Sequence, residues 1–152
     1  MHDAPVAFGW PGRFRLFLAL VFFSACLPAA SLMEVGDAWA RPTPPGILVG
    51  AVYFTLLNSA ATPDRLLSLS SPLADSVELH ETVSQGGVMS MHAVMFLDCP
   101  PGKSLKVSPG GLHVMLLGLK APLKLHDRVP LSLKFRDAGM LSISVPVEAR
   151  EQ

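Results

Sequence analysis

Four side chains stand out for the chemistry they could do together: His80, Met91, His113 and Met115. Ten residues separate the first two, twenty-one the middle two and one the last two. Thioether sulfur is soft and neutral and selects Cu(I), with which imidazole is compatible. Zinc would ordinarily recruit thiolate or carboxylate beside histidine, and calcium or magnesium would need oxygen ligands. Two neutral imidazoles and two thioethers around Cu(I) leave a single net positive charge, which is less costly to shelter than a Cu(II) site. A site without thiols also suits an oxidising compartment, because it cannot be lost to disulfide formation.

Taken singly, each of these residues has a plainer reading, since a lone His or Met is more often core or surface than ligand. Met33, Met95 and Met140 are assigned to core or surface. Met89 is a spare donor or a core or rim residue. His92 falls on the opposite strand face from Met91, His126 lies in a polar Leu-His-Asp turn, and His2 is in the leader. Donor type alone leaves a soft-metal site and ordinary packing both open.

The elements that must position these donors are strands. The 14 prolines and 12 glycines fit short strands and many turns better than long helices. Strands are expected over 34–40, 47–58, 65–70, 76–84, 88–97, 104–107, 112–117, 129–135 and 140–147, with no amphipathic helix between them. Spacing of this kind suggests a β-sandwich or barrel. Gln85-Gly86-Gly87 signals a hairpin. With Gly86 and Gly87 as the turn, Gln85 pairs Val88, Ser84 pairs Met89, Thr82 pairs Met91 and His80 pairs Ala93. His80 and Met91 then become diagonal neighbours on one face. His113 and Met115 share a face by the period-two alternation of a strand.

The chain has 152 residues, room for one domain with a modest core. Acidic and basic residues balance at 12 each. That argues against a nucleic-acid binder, which needs a basic stripe, and against a polybasic membrane-surface anchor. No serine or cysteine dyad and no clustered carboxylates are evident, so the chain is not read as an enzyme.

Arg13 and Arg15 precede an apolar run from Leu16, and small residues with Pro28 lead to Ala29-Ala30-Ser31. This is the tripartite pattern of a secretory signal. Residues 1–30 are therefore read as signal peptide and leader, and 31–152 as one exported domain. The apolar stretch is short for a spanning helix, so no stable membrane span is expected in the mature form. Ser24-Ala25-Cys26 resembles the end of a lipoprotein box, which would acylate Cys26, but cleavage near Ala30 is preferred. Cys99 is then the sole cysteine of the mature chain and is read as a bystander thiol in a turn.

At the four donors the sequence resembles the PCuAC family of periplasmic copper chaperones, whose hallmark is H-x10-M-x21-H-x-M. Val35 to Arg41 with Pro44-Pro45-Gly46, Ala51 to Asn58, Val77 to Glu81, Gly87 to Met91 and Pro109 to Leu116 are similar to blocks of that family. The resemblance spans roughly residues 34–147. It implies an all-β, cupredoxin-like Greek-key β-sandwich and Cu(I) held by His80, Met91, His113 and Met115. It further implies copper delivery in the periplasm to a respiratory oxidase subunit, sometimes beside a thiol-bearing chaperone. Thr82 stands where many relatives have methionine, and no His/Met-rich tail follows residue 147, so one copper per chain is expected. The rival readings are a copper buffer for resistance and a cupredoxin-like electron carrier, the latter needing a cysteine ligand.

Overall fold

The computed structural model describes residues 32–150, so the leader, its cleavage site and Cys26 lie outside the described residues. Ten strands follow one another: β1 (Met33–Ala40), β2 (Val49–Asn58), β3 (Asp64–Ser70), β4 (Ser76–Gln85), β5 (Val88–Val94), β6 (Leu97–Cys99), β7 (Ser104–Val107), β8 (Leu112–Leu117), β9 (Arg128–Phe135) and β10 (Met140–Pro146). Among the described residues no helix is long and apolar enough to cross a membrane.

The strands form two sheets. One runs β1-β2-β8-β4-β5, with β7 also pairing β2; the other runs β10-β9-β3-β6. The chain crosses repeatedly from one sheet to the other, as expected of a Greek-key β-sandwich. β7 and β8 lie end to end along one side of β2, with Phe54–Leu57 pairing β7 and Val49–Val52 pairing β8.

Alternation along each strand sends one set of side chains between the sheets. Val52, Phe54 and Leu56 of β2, Leu79 of β4 and Val114 and Leu116 of β8 face Val129, Leu131, Leu133 and Phe135 of β9 across that interior. The core is closed by Leu66 and Val145. Asn58 is a buried polar group at its margin, and both ends of its amide are hydrogen-bonded. Nδ2 donates to the carbonyls of Cys99 (2.9 Å) and Thr62 (3.0 Å), and Oδ1 accepts from the Ala60 amide (2.9 Å).

Two local irregularities interrupt the regular strands. In β1 the register shifts between Gly36, opposite Thr55, and Trp39, opposite Tyr53. One extra residue is thus inserted in β1, and Asp37 takes the left-handed region at φ 50°. The bulge turns Trp39 onto the face of Tyr53, where the rings lie 4.6 Å apart.

The second irregularity corrects an expectation. A single strand over 88–97 is interrupted at Met95-Phe96, where the chain leaves β5 and re-enters the other sheet as β6. Cys99 consequently ends a strand opposite Asp64 and is buried in the core, rather than sitting in a turn. The corner itself is exposed, with the Arg65 guanidinium 4.0 Å from the Phe96 ring centroid.

Candidate metal centre

The β4–β5 hairpin has the expected register. Gln85 pairs Val88, Ser84 pairs Met89, Thr82 pairs Met91 and His80 pairs Ala93. Gly86 and Gly87 have φ of 60° and 79°. A two-residue turn with both central residues at positive φ matches the twist of the strands it joins, and only residues tolerant of that region fit it. The hairpin thereby sets Met91 diagonal to His80.

β8 supplies the other two donors from the far side of β4. His113 pairs His80 directly, and Met115 pairs Glu78 two residues away. All four residues share one face of the sheet. It is the outer face: the neighbours of opposite parity, Leu79, Val114 and Leu116, point into the core. The four candidate donors sit across three adjacent strands, β8, β4 and β5.

The histidines are differently held. Their ring centroids are 6.1 Å apart with planes at 40°. His113 is 7% exposed, and its Nδ1 lies 2.9 Å from the Gly111 carbonyl. His80 Nε2 lies 3.0 Å from Glu78 Oε2. His80 Nδ1 is buried and, among the described residues, has no hydrogen-bond partner. Met115 is half-buried at the floor of a shallow groove of about 230 Å³ lined by Arg41 to Pro44, Ile47, Val49 and Ala51. Met91, on the edge strand, is 52% exposed. Among the described residues no group of three or more His, Cys, Asp or Glu is gathered as for a hard or borderline cation.

Other candidates fall elsewhere. Met89 shares the face of Met91 two residues nearer the turn and is exposed. His92 lies on the opposite face, near Ser90 Oγ at 3.0 Å. His126 occupies an exposed turn at φ 71°. Met33 is buried in the core, whereas Met95 and Met140 are exposed. Cys99 lies in the other sheet, where burial, with the Asp64 and Asp98 carboxylates nearby, pushes its thiol above the usual range. Sequence reasoning missed Glu78 and the Gly111 carbonyl as partners of the two histidines. The signal was available: each lies two residues before its histidine, hence on the same strand face or at its entry.

A β-sandwich of this topology is the PCuAC type, and comparison with solved structures bears this out. The "Copper-bound PCuAC domain from PmoF2" superposes with a TM-score of 0.68 at 26% identity, covering 80% of this chain and 97% of that one. The Cu(I)-bound solution structure of DR1885 from Deinococcus radiodurans gives 0.62 at 35% identity, covering 82% and 81%. The chain belongs to the LpqE-like family, described as "Putative lipoprotein LpqE-like", whose model matches residues 33–147. It is 32% identical over 117 residues to the "Putative lipoprotein Lxx21020" of Leifsonia xyli subsp. xyli, covering 76% of this chain and 69% of that protein. It is 30% identical over 125 residues to the uncharacterised protein RP573 of Rickettsia prowazekii, covering 80% and 69%.

Proposed function

We propose that this protein is an exported copper(I) chaperone that binds one Cu(I) through His80, Met91, His113 and Met115. The observation that carries the reading is the direct pairing of His80 with His113, flanked by Met115 on one side and Met91 on the other, on the outer face of a single sheet. The copper-bound state of its structural neighbours supports it.

The arrangement suits transfer of a cargo ion. Exposure falls from Met91 (52%) to His113 (7%). A partner's donor can displace the outermost thioether first, without opening the core, and the remaining ligands can then follow in order. Neutral soft donors hold Cu(I) without the charge that would bind harder cations in its place.

The acceptor in this reading is the copper centre of a respiratory oxidase subunit in the periplasm, with a thiol-bearing chaperone as a further partner. Residues 1–30 act as the signal peptide and leader of a single domain over 31–152, with acylation of Cys26 as the variant route to the membrane. A blue-copper carrier is disfavoured because Cys99 lies in the other sheet and in its core.

The test is a Cu(I) competition titration with a chromophoric chelator. One equivalent should bind, and Met91→Ala with Met115→Ala together should abolish competition. Wild-type affinity in the double variant would sink the assignment. A deletion strain separates delivery from buffering: lost oxidase activity at low copper supports delivery, and lost copper tolerance alone supports a buffer.

A further inference from the structure

The two histidines of the site meet their acceptors through different ring nitrogens. A neutral imidazole carries one N–H donor and one lone pair, and a carboxylate or carbonyl oxygen only accepts. Glu78 Oε2 at 3.0 Å from His80 Nε2 therefore places the proton on Nε2 and the lone pair on Nδ1. That Nδ1 is buried and has no partner among the described residues. At His113 the Gly111 carbonyl, 2.9 Å from Nδ1, takes the proton there and leaves the lone pair on Nε2.

We infer that Glu78 is a positioning residue that presents His80 to the metal through Nδ1, while His113 presents Nε2. The inference rests on the Cu(I) reading above and adds to it which atom binds and what aims it. Three observations support it. Glu78 and His80 are two apart on β4 and so share the site face, and Glu78 pairs Met115. The two nitrogens of an imidazole point away from each other. With Nε2 turned toward Glu78, the Nδ1 lone pair is therefore directed to the other side of the ring, and Thr82 and Met91 pair in the next row on that side. A buried lone pair without a donor is otherwise an unexplained cost. Glu78 also supplies a negative charge beside a cationic site, which offsets the charge of the loaded centre, and a carboxylate on the far nitrogen fixes the ring orientation of a ligating histidine.

The experiment is long-range proton–nitrogen NMR of the full chain, uniformly labelled with 15N, at pH 7.5, without metal and with one equivalent of Cu(I), a diamagnetic ion. The metal-free spectrum should give the Nε2–H pattern for His80 and the Nδ1–H pattern for His113. Added Cu(I) should shift Nδ1 of His80 and Nε2 of His113. Glu78→Gln, whose amide oxygen still accepts the bond, should keep the His80 tautomer. Glu78→Ala should lose it and weaken Cu(I) binding about ten- to a hundredfold. An Nδ1–H pattern for metal-free His80, a copper shift on its Nε2, or a Glu78→Ala variant with wild-type tautomer and affinity would each overturn the inference. If Cu(I) perturbed neither histidine, the copper reading would fall, and the metal-free spectra of wild type and Glu78→Ala would still decide the role of Glu78.

Discussion

His80 and His113 are direct cross-strand partners, with ring centroids 6.1 Å apart on the face of the sheet that turns away from the core. Thirty-two positions separate them in the chain, yet one strand pairing, β4 with β8, brings them together. The consequences of that placement differ from residue to residue.

His113 is buried and tied to the Gly111 carbonyl, whereas Met91 is half-exposed and outside the core. His113→Ala should therefore lower folding stability by roughly 1–2 kcal/mol, from the lost hydrogen bond and packing. Met91→Ala should change it by less than about 0.5 kcal/mol. Urea unfolding of the metal-free proteins separates the two, and both should weaken Cu(I) binding.

The turn at Gly86-Gly87 controls which face Met91 occupies. Both residues have positive φ, a region that costs a β-branched side chain about 1–2 kcal/mol. Gly86→Val with Gly87→Val should disturb the hairpin register and reduce Cu(I) affinity although every donor is retained. Gly86→Asn, suited to the same turn, should leave affinity unchanged. A chelator competition series on the variants reads the difference.

Asp64 makes acid stability partly a one-residue matter. Burial acts to raise its carboxyl pKa, but amide bonds from Ala138, Arg65 and Asp137, together with the Arg136 charge, hold it below the usual carboxylate range. A folded-state pKa below the unfolded one stabilises fully above about pH 4, and that contribution fades as pH falls through the lower folded value. Asp64→Asn should reduce stability at neutral pH and flatten its decline below about pH 4. Thermal melts between pH 2 and pH 7 test the sign, with Asp64→Asn expected to cost about 1–3 kcal/mol at the neutral end.

Cys99 is 1% exposed and donates its thiol proton to the Leu97 carbonyl at 3.5 Å. Its raised pKa further lowers the thiolate fraction at neutral pH. Maleimide should label Cys99 slowly in the folded protein and at once in urea. Cys99→Ala should retain the Cu(I) stoichiometry of the wild type.

Much of this was legible in the sequence, for physical reasons that differ by element. The hairpin register followed from two glycines fixing a two-residue turn, so that the pairing of His80 with Ala93 could be counted out from Gln85 and Val88. The shared face of His113 and Met115 followed from alternation alone. The break at Met95-Phe96 did not, because Val94 and Leu97 are apolar on both sides of the corner, and pattern is blind to which sheet a strand joins. The burial of Cys99 was lost with it. Which face of β8 turns inward was also hidden: Val114 and Leu116 are apolar, but His113 and Met115 are hardly less so, and only the second sheet settles the choice. The Glu78–His80 contact was within reach of the two-residue spacing, yet attention to soft donors alone passed over the carboxylate.

The opposition of donor face and core face divides the sequence into two nearly independent inheritances. Leu79, Val114 and Leu116 answer to folding, whereas Glu78, His80, His113 and Met115 face away from the space between the sheets. Substitutions on the outward face leave the side chains between the sheets in place, so selection can vary that face largely apart from the interior.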